Sequence, residues 1–240
     1  MAATTHFEAD YVIVGAGAMG MAFADELLST SGATMIIVDC RHRPGGHWND
    51  GYPFVRLHGA TSLYGVNSRS LGEGETDSFG LNAGLEPLPS GAEICAYYDD
   101  VMRQRFLPSG RVTHLPLCEY RKDGTVTSRL GQDRIKATAR NAVVDATYTN
   151  TKLPSTHPSQ FDVASGVTCI PPNALPVIEG QTASFTIIGS GKTAMDSVTW
   201  LLETRVEPER ILWIRPREAW ILDRIARQFR PDAAGDTMNR

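Results

Sequence analysis

Residues 11–20, YVIVGAGAMG, constrain the fold of this chain more than any other stretch. An apolar run from Tyr11 to Val14 stops at Gly15-Ala16-Gly17-Ala18-Met19-Gly20, and small and apolar residues then recur at helical spacing from Ala16 to Leu28. A second apolar run, Met35 to Val38, ends at Asp39. The order is strand, tight turn, helix, strand: one βαβ unit carrying GxGxxG. Gly15 suits the tight turn, Gly17 lets a diphosphate approach the backbone, and Gly20 lets helix lie close on strand. The helix N-terminus offers free N–H groups and the positive end of its dipole. Asp39 stands 19 positions after Gly20, where a carboxylate accepts from ribose hydroxyls and repels a 2′-phosphate. This first site is expected to take FAD or NAD over NADP.

A second glycine turn needs more care. TIIGSGKTAMD, residues 186–196, contains the GKT of a phosphate-wrapping P-loop, but GxxxxGK[ST] requires its first glycine at position 186, which is Thr186. The frame that fits is Gly189-Ser190-Gly191-Lys192-Thr193-Ala194, a GxGxxA directly after the apolar run Ser184 to Ile188 and opening a helix through Leu202. Lys192 is then expected on the helix surface. The next strand, Ile211 to Ile214, runs out at Arg215-Pro216-Arg217 where an NAD site has an acid, and an arginine there can pair with the 2′-phosphate of NADP. The second site is therefore expected to take NADPH. With a first cofactor that receives hydride and a second that supplies it, the expected fold class is α/β: a Rossmann-like FAD-binding domain over residues 1–165 and a Rossmann-like NAD(P)H-binding domain over 180–240. Only one βαβ unit of the latter precedes the weakly apolar stretch Gln228 to Arg240, so this domain is expected to be incomplete.

Between the glycine turns the pattern is mixed. From Cys40 to Pro89 periodicity is weak, and Ser90-Gly-Ala-Glu93 reads as a capping box for a helix with Ile94, Tyr97, Tyr98, Val101 and Met102 on one face. Arg111 to Arg140 reads as antiparallel strands turning at Lys122-Asp123-Gly124, Asn141 to Thr147 as a further strand, and Leu153 to Pro176 as a connection. A net charge of -4 supplies no basic field for nucleic acid or anionic lipid. No run reaches the roughly 18 apolar residues of a membrane span, and no cationic leader precedes an apolar run, so a cytoplasmic protein acting on a small molecule is expected. Cys40, Cys95, Cys118 and Cys169 show no metal or redox spacing, and no metal site is expected. Oligomeric state leaves no signal.

With these motifs placed, the chain resembles the two-dinucleotide-binding flavoproteins, and within them the flavin-dependent monooxygenases. The resemblance rests on GAGAMG, on Pro44-Gly45-Gly46-His47-Trp48, which is similar to that group's GGxW, on GSGKTA with its arginines, and on the stretch from Tyr52 to Val66. It implies NADPH reducing FAD and the reduced flavin passing one atom of dioxygen to a small organic substrate. It also implies that Gly45, Gly46 and Trp48 lie along the FAD, and that Arg56 and His58 place charge near flavin or nicotinamide. Two features depart from the group: its FxGxxxH is absent before the second glycine turn, and Tyr148 stands in Ala146-Thr147-Tyr148 where an ATG has glycine. Electron transfer without oxygen insertion is an open alternative. So are a disulfide-reductase-type flavoprotein and a non-catalytic nucleotide-binding remnant or fragment.

Overall fold

The computed structural model describes residues 5–131, 134–149, 153–159, 161–178, 183–218 and 220–224; the expectation placed on Gln228 to Arg240 lies outside them. The chain divides into two compact units. One comprises residues 1–49 and 59–151, the other 50–58 and 152–240. Residues 50–58, which begin two positions after Trp48 of the GGHW segment, thus belong with the C-terminal part of the chain.

The first unit is built on strand β1 (Thr5–Val14), helix α1 (Ala18–Thr30) and strand β2 (Met35–Val38). β1 pairs in parallel with β2, from Tyr11 opposite Met35 to Val14 opposite Val38. All four residues of β2 are buried, as expected of a strand covered on both faces. The sheet continues with β5 (Val112–Leu115), β6 (Cys118–Tyr120), β7 (Thr125–Ser128) and β8 (Arg134–Asp145), in the order β5-β2-β1-β8-β7-β6. A separate two-stranded hairpin joins β3 (Gly65–Val66) to β4 (Arg69–Ser70) inside the stretch of weak periodicity.

Two expectations about strand pairing are corrected. β5 runs parallel to β2, not antiparallel to a neighbour, and β8 is one strand that takes in Asn141 and ends at Asp145. Within the six-stranded sheet, among the described residues, only β6-β7 and β7-β8 are antiparallel, with the expected turn closed by Gly124 N–H donating to Arg121 C=O at 2.8 Å. Against β1, β8 is parallel, with a bulge between Ala9 and Tyr11. Asp10 at that bulge accepts from the backbone and hydroxyl of Thr34 and from Arg140 Nε. The polar residues Arg140 and Asn141 fall at this register shift, between the pairs Ala9–Ala139 and Tyr11–Ala142, and β8 runs on through it.

Helix α2 (Gly91–Val101) starts on the expected capping box: the Ser90 hydroxyl accepts from Glu93 N–H while the Glu93 carboxylate accepts from Ser90 N–H. It buries Ile94, Tyr97, Tyr98 and Val101, then widens into a π-type turn over Met102–Phe106. Asp25 of α1, fully buried, accepts from Ser68 N–H and from Arg105 Nε at 2.6 Å, which ties that turn to α1.

The second unit holds helix α3 (Leu175–Ile178), strand β9 (Phe185–Ile188), helix α4 (Lys192–Glu203) and strand β10 (Ile211–Ile214). β9 and β10 pair in parallel, Phe185 opposite Ile211 and Ile188 opposite Ile214, which makes the second βαβ unit. Its core is Leu175, Phe185, Leu201 and Val206, with Phe54, Ile187, Trp200 and Ile211 packed against it. The Phe54 ring stacks on Trp200 at 5.0 Å.

Candidate functional site

In the first unit the glycine turn has the expected geometry. Gly15 has φ +105°, and its N–H donates to Val38 C=O at 2.8 Å, closing the β1 turn over β2. A Cβ at Gly20 would lie 2.0 Å from the Gly15 carbonyl oxygen, so helix and turn touch backbone to backbone. Of the intervening residues, Ala16 is buried, Ala18 is half-buried and Met19 is exposed.

The space beside Gly17 is met by a second glycine turn. A Cβ at Gly46 would sit 2.9 Å from Gly17 Cα, and Gly45 N–H donates to Ala16 C=O at 2.9 Å. The two turns that the sequence left 25 residues apart are therefore one backbone cradle. Around it, Asn49 Nδ2 donates to the carbonyls of Arg43, Pro44 and Gly46, and Trp48 Nε1 donates to the Tyr64 hydroxyl at 2.6 Å. His47 stacks on Trp48 at 5.4 Å. Burial raises the Tyr64 phenol above its ordinary value, against the hydrogen bond from Trp48.

Asp39 lies where expected, at the end of β2, but it is 3% exposed and already engaged. Its Oδ2 accepts from Ala16 N–H at 2.5 Å and its Oδ1 from Arg41 N–H at 2.6 Å. The carboxylate thus pins the glycine turn to the loop after β2, and each oxygen retains one lone pair for a further donor. Thr147 and Ala146 close the other side of Gly15, a Cβ there meeting Thr147 Cγ2 at 3.1 Å, while Tyr148 is 89% exposed.

In the second unit Gly189 has φ +140°, donates to Ile214 C=O at 2.9 Å and accepts from Trp213 Nε1 at 2.7 Å. A Cβ at Gly191 would meet nothing within 4 Å among the described residues, which leaves that face of the turn open to them. Ser190 and Thr193 are half-buried and Ala194 buried. Arg215 and Arg217 are exposed beyond β10, with the Arg215 guanidinium over the Trp213 ring at 5.1 Å.

α1 and α4 share a property that α2 lacks. Both have a glycine N-cap, Gly17 or Gly191, in extended conformation, with no side-chain hydrogen bond to the first amides and no acid in the first turn. Where α2 satisfies its own N-terminus with Ser90 and Glu93, these two leave donors and dipole for an anion.

A group that the sequence did not single out surrounds the start of α4. Asp196, whose side chain is 6% exposed, accepts from the Tyr52 hydroxyl at 2.7 Å and pairs with Lys192 one turn earlier, and His58 Nε2 stands 3.6 Å from its other oxygen. Lys192 is thus more than the surface charge expected of it: its side chain is 42% exposed but its ammonium is bound to a buried carboxylate. The i, i+4 spacing of Lys192 and Asp196 was the available signal, whereas Tyr52 is 144 positions away. Burial and the Asp196 charge push the Tyr52 phenol well above its ordinary range. His58 is pushed below 6.5, first by partial burial, then by the positive charge of Lys192, with Arg224 and Arg56 acting in the same sense and Asp196 opposing. Of the two residues expected to place charge, His58 faces this group through Asp196, and Arg56 bears on it electrostatically.

Fold and glycine turns together define a class. Residues 13–66 match the family model described as an NAD(P)-binding Rossmann-like domain. A flavin-containing monooxygenase from Stenotrophomonas maltophilia superposes over 90% of this chain and 60% of its own, with a TM-score of 0.57 and 21% identity. A cyclohexanone monooxygenase from Rhodococcus sp. Phi1, solved bound to NADP+, superposes over 84% of this chain and 37% of its own, with a TM-score of 0.50 and 22% identity. The chain has the α/β fold of two-dinucleotide-domain flavoproteins. In sequence, an uncharacterized protein of Mycobacterium tuberculosis strain H37Rv is 46% identical over 224 residues, which are 93% of this chain and 41% of that protein. The chain spans about two fifths of the length of the curated relatives it matches. Among the described residues no helix is long and apolar enough to cross a membrane.

Proposed function

We propose that this chain carries the dinucleotide-binding part of an FAD-dependent oxidoreductase that takes its electrons from NADPH, monooxygenase-like, with a small organic molecule as substrate. The observation that carries the reading is the pair of glycine-capped helices α1 and α4, each opening on a strand-borne glycine turn and each left without a side-chain cap. Both turns fit a diphosphate: the first by its backbone cradle of Gly15, Gly17, Gly45 and Gly46, the second by the open face at Gly191.

In this reading Ala16, Ala18, Met19 and Gly20 belong with the FAD turn, Asp39 lends a lone pair to the ribose, and Trp48 lies beside the cofactor. The family model over residues 13–66 is described by NAD(P); FAD is assigned there because Asp39 disfavours a 2′-phosphate and because the GGHW turn packs on the fingerprint itself. Ser190, Lys192, Thr193 and Ala194 border the NADPH diphosphate, and Arg215 and Arg217 answer its 2′-phosphate. A flavin held here would supply the hydride acceptor, and the chain's own groups bind and orient the two nucleotides.

The test is a visible spectrum of the purified chain after incubation with FAD, followed by NADPH without oxygen. A yellow protein that bleaches on NADPH is expected. A folded, colourless protein that takes up no FAD refutes the assignment, and a yellow one that NADPH leaves unbleached refutes the electron route.

A further inference from the structure

Asp196 is a buried carboxylate with a lysine and a histidine nitrogen within 4 Å of its oxygens. Lys192 is paired with it now, and His58 Nε2 stands 3.6 Å from its other oxygen, its protonation disfavoured first by partial burial and then by the charges of Lys192, Arg224 and Arg56. A buried carboxylate deprived of its partner is costly, so any event that draws Lys192 away demands a replacement charge. Lys192 is the first residue of α4, next to the open turn at Gly191, and is the cation nearest in sequence to where an anion on that helix end would sit. Tyr52 cannot replace it, because its hydroxyl donates to Asp196 without bringing charge.

We infer that Lys192 and His58 exchange places at Asp196 when the diphosphate of a dinucleotide docks on α4: Lys192 turns to the phosphates, and His58 takes up a proton to keep the carboxylate paired. The inference rests on the reading of the second glycine turn as a dinucleotide site. The proton comes from solvent, which reaches His58 because its side chain is 53% exposed. The groups facing His58 all act consistently with this exchange. Partial burial and then Lys192, Arg224 and Arg56 disfavour its protonation in the free protein, and a bound diphosphate offsets the three positive charges. Asp196 favours protonation and is released to do so once Lys192 leaves. Tyr52 remains on Asp196 throughout and holds the 50–58 segment in place.

By linkage, a group that gains a proton on binding makes affinity fall as pH rises through the window between its free and bound values, by up to about tenfold per pH unit for one proton. For His58 that window opens below 6.5, its ordinary value, and extends upward as the ligand raises it. The measurement is calorimetric titration of the full chain with NADP+ in buffers of different ionisation enthalpy, for wild type and His58→Gln. The difference between the two isolates His58 from ionisation of the ligand. A parallel titration uses inorganic pyrophosphate, and the His58 ring protons are followed by NMR in wild type and Lys192→Met.

Wild type is expected to take up a fraction of a proton that His58→Gln does not. Lys192→Met is expected to titrate His58 at a higher pH than wild type with no ligand present. NADP+ binding without His58-dependent uptake, or an unchanged His58 titration in Lys192→Met, overturns the exchange and leaves the dinucleotide reading standing. Uptake on pyrophosphate with no binding of NADP+ supports the exchange and refutes that reading. Binding of neither ligand refutes both.

Discussion

Substituting Gly20 by alanine sets two opposite effects against each other. Gly20 lies inside α1, and at an unhindered helical site alanine is favoured over glycine by about 1 kcal/mol. Here the new Cβ would sit 2.0 Å from the Gly15 carbonyl oxygen and 3.2 Å from Ala146 Cβ. A carbon and a carbonyl oxygen rest no closer than about 3.3 Å, so α1 must retreat from the turn by about 1.3 Å. The obstacle is backbone, which cannot rotate away, and the retreat strips contact from Met21 and Ala24, both fully buried. Overpacking of this kind costs about 1–3 kcal/mol, and the rigidity of the obstacle puts Gly20→Ala at or beyond the upper end. After the helix gain, a net loss of about 2 kcal/mol lowers the melting temperature by about 4–8 °C for a chain of this size. Gly32→Ala is the control: a Cβ there meets nothing within 4 Å, and restricting the unfolded chain gains about 0.4–1 kcal/mol. Thermal melts by circular dichroism compare the two. Gly20→Ala melting at or above wild type would refute the close approach of helix and turn.

Other perturbations probe separate parts of the structure. Removing Arg105 as Arg105→Ala leaves the fully buried Asp25 without its cation and should cost about 3–5 kcal/mol in urea unfolding; a cost near zero would mean that Ser68 alone suffices. Tyr52→Phe deletes a hydroxyl that donates to a buried carboxylate, and a loss of about 1.5–3 kcal/mol is expected from the melt. Ser90→Ala dismantles the capping box of α2 at about 1 kcal/mol, measured the same way. His114 is held below its ordinary value by burial, with Nε2 buried and unpartnered among the described residues. The unfolded chain therefore binds the proton more readily, and stability should be full above about pH 6.5 and fall as pH drops below it. His114→Leu should flatten that part of the melting profile between about pH 7.5 and 5, and an unchanged slope would exclude His114 as its source.

Both glycine turns, their strands and their helices were legible because each rests on local rules: an apolar run stops at glycine, and small residues follow at helical spacing. The capping box was legible for the same reason, since Ser90 and Glu93 speak only to each other. Strand direction was not. The β-branched Val112 and Thr113 suit a strand but say nothing of its partner, and its parallel pairing to β2 is decided by where the chain returns after α2. β8 looked like two strands because Arg140 and Asn141 are polar; they sit at the register shift against β1, and the strand continues past them to Asp145. At the site, Asp39 was found by position, but its engagement with Ala16 and Arg41 N–H was invisible, because short acids bond to whichever amides the fold presents. Asp196 and Tyr52 were missed for a plainer reason. Their meeting spans 144 residues, and nothing in either neighbourhood announces the other.

The Asp50–His58 segment makes the second unit discontinuous in sequence. It is translated long before the βαβ unit it completes, and its Phe54 stack and Tyr52 hydrogen bond form only once Trp200 and Asp196 have left the ribosome. A gene fragment starting at residue 152 would encode a unit without its Phe54 stack or its Tyr52 tether. The chain cannot be dissected into its two units by a single cut: the boundary in space is crossed three times by the backbone.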